Sequence, residues 1–484
     1  MASLKHQAVS GVAWTTIQRF LTLSISFISN LVLARLLSPD DFGCVGLLAV
    51  FISISQTFID SGFGSALIQK KEPTQEDYST IFFWNLGVAI ILYLVLFFSA
   101  PLIARFYKLD ILSSILRVQG LILIINSLRI IQYNRLRKTL QFKKVSIIFI
   151  SSDIVAVIVA IILAYKGYGV WCLVIQQLLL SALTTFIFWV TSRWKPSFVF
   201  DKNSFKELFS FGGYILLSNI FVTLFNDIQS LIMGKLYSIR NVGLYSQSRR
   251  LEGIPASTIS SVISQVVFPI FSRFQNDIDK LKELLKKVTQ VMAFCVFPLM
   301  IVSIIIAEPL IIILFSDKWI ECVPFFKILC IGGIAESLCD INYNLVASLG
   351  KSKTLFKWTT IKSFVGLILI CAGSFFGING IIWAVTIRFY FIYIVNSSLS
   401  AYYLKMTIVE QYKDLFKIFV ITSIAYILTL CTNQLFFIVV GNIYVIALIE
   451  VIIFCIMYFL LNLALNRKIM MEIKDIIRMI LQKK

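Results

Sequence analysis

Fourteen long apolar runs, separated by short polar connections, constrain the fold of this chain more than any other feature of its sequence. A helix needs about 20 apolar residues to cross the hydrocarbon of a bilayer. A backbone in lipid must satisfy its own hydrogen bonds, and a helix does so within one segment. The pattern therefore predicts an all-α, polytopic membrane protein. The predicted spans are 8–37, 41–68, 78–107, 111–136, 145–166, 168–192, 207–236, 242–272, 288–316, 321–349, 355–377, 379–404, 415–437 and 441–465.

The composition supports a membrane protein and argues against other classes. Of the 484 residues, 58% are hydrophobic and 14% are charged, whereas a soluble domain is about half apolar and about a quarter charged. The net charge of +19 is interpreted as the Lys and Arg of cytoplasmic loops, so no nucleic-acid partner is expected. One histidine, His6, and nine scattered cysteines without a CxxC motif provide no pattern for a metal site, a cofactor or a catalytic triad.

The distribution of basic residues predicts the orientation of the chain. About 29 of the 44 Lys and Arg residues lie in the N-terminus, in the connections after even-numbered spans and in the C-terminal tail, and about 7 lie in the other connections. Because cytoplasmic segments collect Lys and Arg, both termini are predicted to be cytoplasmic. Residues 1–20 lack a signal-peptide cleavage pattern and are interpreted as part of the first span. Two basic segments, 273–287 and the tail, are predicted to be interfacial amphipathic helices.

The two halves of the chain repeat the same short sequences. LVLARLLSPDDFG at 31–43 is echoed by LIMGKLYSIRNVG at 231–243, and SLRIIQYN at 127–134 is echoed by SLCDINYN at 337–344. The shift equals six spans, so both halves have one orientation, as in transporters that rock two bundles around a central cavity. An old duplication in a protein that does not transport is the alternative. The predicted domains are an N-lobe of six spans (1–200), a C-lobe of six spans (201–405), two further spans (406–466) and a cytoplasmic amphipathic tail (467–484).

Arginines deep within the predicted spans are candidates for binding an anionic substrate. Arg19, Arg249 and Arg250 lie some 10 Å or more from the nearest span end, at about 1.5 Å per residue. Arg129 shares a polar helical face with Asn126 in span four. Because Arg binds phosphate bidentately, a negatively charged lipid headgroup is the expected ligand. A structural polar seam between helices is the alternative for any one of these residues.

Carboxylates within the spans are candidates for coupling transport to H+ or Na+. Asp60 lies in a glycine-containing part of span two, Asp227 lies in span seven, and Asp340 lies one helical turn after Glu336 in span ten. Permanent ion pairs with nearby arginines are the alternative for Asp60 and Asp227.

The repeated turn is predicted to act as an outer gate. Ser38 and Pro39 suit the start of a helix with acidic residues in its first turn. The two copies differ in charge, because the first contains Asp40 and Asp41 whereas the second contains Arg240. We expect these charges to pair when the cleft closes.

Several longer stretches are together specific enough to indicate a family. They are LLSPDDFG, DSGFGSALIQKKEPTQEDYSTIFFWN, VGLYSQSRRLEGIPASTISSVISQVVFPIFSRFQND, EPLIIILFSDKW and ASLGKSK. They resemble the Wzx-type, and within it the WzxC-like, polysaccharide flippases, whose superfamily also holds the MATE drug exporters and the peptidoglycan lipid flippase. The resemblance extends over residues 1–460 and implies two six-helix lobes around a cavity plus two further helices.

The resemblance also implies a function. It implies translocation of an undecaprenyl-diphosphate-linked oligosaccharide, the precursor of an O-antigen, a capsule or an exopolysaccharide, from the cytoplasmic to the periplasmic leaflet of the bacterial inner membrane. It implies ion-coupled alternating access and a cationic cavity, which Arg19, Arg249, Arg250 and Arg388 are expected to line. The expected partners are the lipid-linked glycan, membrane lipids, a polysaccharide polymerase and export proteins, and the chain is expected to be a monomer.

Two other functions compete with this one. A MATE-like multidrug exporter is the first alternative, but span one contains no acidic residue, whereas many drug-exporting relatives carry a coupling carboxylate there. A membrane-bound glycan ligase or polymerase is the second. Such an enzyme would need a sizeable outward loop to hold the sugar, whereas the outward connections here are only a few residues long. The chain is therefore not expected to be an enzyme.

Overall fold

The computed structural model of the chain is built of long helices. It describes residues 2–60, 63–70, 72–440, 442–467 and 470–471. The chain divides into two compact units, Met1–Gly243 (unit 1) and Leu244–Lys484 (unit 2). The lobe boundary after residue 200 stays a prediction.

The described helices follow one another with short connections. Those within unit 1 are α1 (Ala2–Leu36), α2 (Pro39–Asp60), α3 (Phe63–Gln69), α4 (Gln75–Tyr107), α5 (Ile111–Gln119), α6 (Leu121–Lys138), α7 (Phe142–Tyr165), α8 (Trp171–Ser192) and α9 (Lys202–Leu236). Helix α10 (Ile239–Arg273) begins in unit 1 and continues in unit 2. Those within unit 2 are α11 (Ile278–Ile305), α12 (Ala307–Phe315), α13 (Cys322–Ser348), α14 (Ser352–Ser374), α15 (Gly377–Leu404), α16 (Ile408–Val440) and α17 (Ile443–Leu465).

Membrane-spanning helices make up most of the described chain. Twelve helical segments of the described residues are long and apolar enough to cross a membrane, and each coincides with a predicted span. The two other predicted spans, 207–236 and 242–272, fall in α9 and α10, which have 35 residues each. The predicted all-α, polytopic membrane fold is confirmed.

Three predicted spans are divided, and the predicted amphipathic segment 273–287 joins a span. Span two is divided, because α2 ends at Asp60 and α3 begins at Phe63. Span four is divided between α5 and α6, and span nine is divided between α11 and α12. The segment 273–287 does not form a separate interfacial helix. Instead, the Asp277 carboxylate accepts a hydrogen bond from the backbone N–H of Lys280 (2.9 Å) and caps α11, which then runs on to Ile305. Most of the predicted tail 467–484 lies outside the described residues.

An aromatic cluster joins α3, α4, α6 and α9 in unit 1. The ring of Trp194, in the connection after α8, lies edge-on to Tyr78 and Phe82, with centroid distances of 6.3 and 5.8 Å. The Trp194 indole N–H donates to Gln75 Oε1 (2.6 Å). The buried members are Phe63, Ala66, Leu67, Tyr78, Ile81, Phe82, Ile131, Trp194 and Leu208. Edge-on aromatic pairs add directional attraction to the burial of their apolar area, so this cluster fixes the connection between α8 and α9.

Helix α13 is the most buried helix of unit 2 and packs against α11 and α15. Helices α16 and α17 pack against each other and against α11. The Tyr458 hydroxyl of α17 donates to the Phe294 carbonyl of α11 (3.0 Å), which satisfies a polar group at this otherwise apolar contact. The last two spans therefore belong to the packed core of unit 2.

The two copies of the repeated turn form the same local hydrogen bonds. Ser38 Oγ accepts a hydrogen bond from the Asp41 N–H (3.3 Å), and Ser238 Oγ accepts one from the Asn241 N–H (3.2 Å). Each serine thus caps the helix that follows it. In the first copy the Asp41 carboxylate also accepts from the Ser38 N–H (2.9 Å), which completes a capping box.

The starts of α2 and α10 cross at two glycines. A Cβ added at Gly43 would overlap the carbonyl oxygen of Ile239, and one added at Gly243 would overlap that of Pro39. Pro39 and Ile239 occupy equivalent positions of the repeat, as do Gly43 and Gly243. The crossing is therefore two-fold symmetric, and it depends on residues that lack a side chain, because only these let two backbones approach so closely.

This crossing yields a stability prediction. Gly43→Ala and Gly243→Ala should each destabilise the packing by about 1–3 kcal/mol, since the added methyl group overpacks a backbone contact. Gly87→Ala in α4 is the matched control, because a Cβ there meets no atom within 4 Å. Thermal unfolding of the purified protein in detergent should show lower Tm values for the first two variants and an unchanged or higher Tm for the control. Equal Tm values for Gly43→Ala and Gly87→Ala would contradict the prediction.

Candidate functional site

Unit 2 contains an ionic triad formed by Arg249 of α10 and two glutamates. Arg249 Nη1 and Nη2 donate to Glu336 Oε2 and Oε1 of α13, at 2.8 and 2.6 Å. Arg249 Nη1 also donates to Glu252 Oε2, one helical turn along α10. A bidentate guanidinium–carboxylate pair is both strong and geometrically specific. The triad therefore fixes α10 against α13 and directs the Arg249 charge towards two carboxylates.

The surroundings of the triad are tightly packed. The Glu252 side chain is completely buried, and a Cβ at Gly333 would overlap its Oε1 atom. The Arg249 guanidinium lies over the Phe389 ring of α15, with its carbon 4.9 Å from the ring centroid. A cation is attracted to the face of an aromatic ring. Helices α10, α13 and α15 thus contribute to the triad, in which Glu252 is buried while the side chains of Arg249 and Glu336 are 29% and 33% exposed.

Three other predicted site residues lie in unit 2, namely Arg250, Arg388 and Asp340, of which Asp340 lies near Glu336. Arg388 is buried on α15, where its aliphatic stem contacts Gly366 of α14 and its guanidinium carbon lies 5.9 Å from the Phe389 centroid. Arg250 and Asp340 are exposed on α10 and α13. The structure therefore places Arg249 and Arg388 beside one aromatic ring.

Arg129 occupies a polar niche in unit 1. Its Nη1 atom donates to Thr184 Oγ1 of α8 (2.7 Å), and its guanidinium carbon lies 5.6 Å from the Phe149 centroid of α7. Arg19 is exposed on α1. Arg129 thus has polar and aromatic neighbours on two other helices, and Arg19 is the more accessible of the two cations.

The predicted coupling acids of unit 1 lie on polar seams. Gln56 donates to the Asp60 carboxylate (3.4 Å) and accepts from the Asn126 side chain of α6 (3.2 Å). Ser53 of α2 donates to the Asp227 carboxylate of α9 (3.2 Å). Hydrogen bonds of this kind between spans satisfy polar groups that lipid cannot solvate. Asp227 thus connects α9 to α2, whereas Asp60 bonds within α2 to a glutamine that itself contacts α6.

The charges of the repeated turn have different partners. Arg240 pairs with Asp40 at 3.8 Å, and both side chains are partly exposed. Asp41 belongs to the capping box described above. The structure therefore brings together the Asp40–Arg240 pair of the predicted gate and uses Asp41 to start α2.

Neither glutamate of the triad was predicted to be a site residue. Glu252 follows Arg249 by three residues, a spacing that puts both side chains on one helical face. This spacing was a usable signal for Glu252. Glu336 lies 87 residues from Arg249, and no local pattern indicates which helix face it meets.

The chain is similar to known proteins in both sequence and structure. The family model described as polysaccharide biosynthesis protein matches residues 32–324. Teichuronic acid biosynthesis protein TuaB of Bacillus subtilis (strain 168) is 26% identical over 87% of this chain and 88% of its own length. Succinoglycan biosynthesis transport protein ExoT of Rhizobium meliloti (strain 1021) is 25% identical over 77% of this chain and 76% of its own.

The solved structures support the fold. Lipid II flippase MurJ in an inward closed conformation has a TM-score of 0.76 at 17% identity and covers 96% of this chain and 100% of its own. ExoT is named as a transport protein and MurJ as a flippase, and this chain shares the fold of MurJ. The match to the family model, which extends over more than half of the sequence, shows that the chain belongs to the polysaccharide biosynthesis protein family.

Proposed function

We propose that the chain is a flippase for lipid-linked oligosaccharides. Its substrate is a repeat unit of an O-antigen, capsule or exopolysaccharide linked to undecaprenyl diphosphate, and it moves this unit from the cytoplasmic to the periplasmic leaflet of the bacterial inner membrane. Both termini are cytoplasmic in this proposal. The family match over residues 32–324 carries the proposal, and the transport named for ExoT supports it.

The arginines of the spans support a diphosphate ligand. A diphosphate carries negative charge into a region of low dielectric, so its binding needs cations. The charge of Arg249 is offset by two carboxylates, and that of Arg129 is partly offset by the nearby Asp60. We assign diphosphate binding to Arg250 and Arg388 in unit 2 and to Arg19 in unit 1, which the family resemblance expects to line the cavity.

This assignment predicts a loss of transport in two variants. Arg250→Gln and Arg388→Gln should each slow movement of an undecaprenyl-diphosphate glycan across proteoliposomes by about tenfold or more, because a lost charge-assisted bond contributes about 1.5–3 kcal/mol. Flipping is measured as protection of a fluorescent glycan from an external glycosidase. Arg105→Gln, at the exposed end of α4, is the matched control. Wild-type rates in both Arg250→Gln and Arg388→Gln would contradict the phosphate assignment.

The ionic triad gives one reason to test a second function, multidrug export. Two carboxylates, one guanidinium and the Phe389 ring form an acidic and aromatic environment, which is the chemistry that holds organic cations. The same proteoliposomes loaded with a fluorescent lipophilic cation distinguish the functions. The flippase proposal expects no directed movement of the cation, and directed movement of the cation without movement of the glycan would replace it with drug export.

The Asp40–Arg240 pair is proposed to hold the outer gate. Arg240→Asp should lower the flipping rate by up to about fivefold, since partly exposed ion pairs contribute about 0.2–1 kcal/mol. The double variant Asp40→Arg/Arg240→Asp restores opposite charges and should recover most of the rate. Both rates are measured in the glycosidase assay at low salt, where surface charges are least screened. An unaltered rate in Arg240→Asp would show that the pair does not act as a gate.

A further inference from the structure

The ionic triad contains more negative than positive charge. Two carboxylates, Glu252 and Glu336, face the single guanidinium of Arg249. Glu252 is fully buried, and its Oε1 atom has no hydrogen-bond partner among the residues that the structure describes. An unbalanced charge at membrane depth is costly, and protonation of a carboxylate removes it. We infer that the triad binds one proton, held on the free Oε1 atom of the Glu252 carboxyl.

Among the residues that the structure describes, Arg249 is the cation that acts on Glu252. Tyr245 of α10 lies near Arg249, and Cys330 of α13 lies near Glu252. Asp340 of α13 lies near Glu336 and adds negative charge. From α15 the neighbours are Phe389 and the Arg388 beyond it. From α11, the Met300 sulfur lies 3.2 Å from the position that a Cβ at Gly333 would take, and Glu252 Oε1 also lies close to that position.

The same neighbours favour a proton over Na+. Hard cations need several oxygen ligands around one point. Both oxygens of Glu336 and one oxygen of Glu252 are already bonded to Arg249. A Cβ at Gly333 would meet both the remaining oxygen, Glu252 Oε1, and the Met300 sulfur, and Cys330 lies near Glu252. A proton needs only that one oxygen, whereas a metal ion would lack ligands.

The triad differs in role from the acids predicted to couple transport. Asp60 and Asp227 each accept a hydrogen bond from a neutral side chain, whereas Glu252 and Glu336 compete for one cation. Gain or loss of a proton therefore decides which glutamate Arg249 holds, and through Glu336 it alters the contact of α10 with α13. That the bound proton couples transport rests on the proposed function, whereas the binding of the proton does not.

Infrared spectroscopy of the full chain in lipid vesicles tests this inference directly. A protonated carboxyl has a C=O stretch separate from the bands of a carboxylate, and it is recorded as pH is varied. Glu252→Gln and Glu336→Gln should each remove one carboxyl band at neutral pH, because one carboxylate and one guanidinium then balance. Glu308→Gln, at an exposed site on α12, should keep the band. Arg249→Gln should keep it to higher pH than the wild-type chain.

The outcomes separate this inference from the proposed function. If Glu252→Gln keeps every carboxyl band of the wild-type chain, and if this variant elutes and unfolds like the wild-type chain, the inference is overturned. Loss of the band on addition of NaCl at constant pH also overturns it, in favour of Na+. Glycan flipping with no dependence on pH would leave the flippase proposal intact and remove the coupling role. The expected bands without any glycan flipping would support the proton site and contradict the flippase.

Discussion

The cost of an unpaired charge in hydrocarbon is the constraint on which the interior of this protein depends. Arg249 is held by two glutamates, Arg129 by Thr184 and the Phe149 ring, and Lys362 by the Asn396 carbonyl at 2.6 Å. Glu336, Thr184, the Phe149 ring and Asn396 each lie in the same unit as their cation but on another helix, whereas Glu252 lies on the helix of Arg249 itself. Because lipid offers no hydrogen bonds, these polar contacts determine which faces of the helices meet.

The repeat acts at the level of backbone geometry as well as sequence. The same serine caps the following helix in both copies, although one copy continues with Asp40 and Asp41 and the other with Arg240 and Asn241. Gly43 and Gly243 then let the two helix starts cross at backbone contact. The two copies of the repeat share the serine and the glycine that fix the chain direction, and they carry opposite charges at the neighbouring positions.

Element type was predictable because lipid permits few backbone conformations, whereas the pairing of side chains was not. Apolar runs and basic connections were sufficient to place the spans, and Ser38 with Pro39 marked the start of α2 correctly. The break after Asp60 was missed because the hydropathy of the sequence continues through it. Arg249 was predicted to be a phosphate ligand because its partner Glu336 lies on a distant helix, whose rotation depends on packing against α11 and α15.

Substrate binding and proton binding place opposite demands on charge. A site for a diphosphate must offer cations that no carboxylate already balances, while a site for a proton must offer a carboxylate that no cation already balances. The Arg249–Glu252–Glu336 triad has the second property and lacks the first. Arg388 adjoins the same Phe389 ring as Arg249. A change in how Arg249 is shared between its two glutamates would therefore alter the electrostatic surroundings of Arg388, which is assigned to the diphosphate.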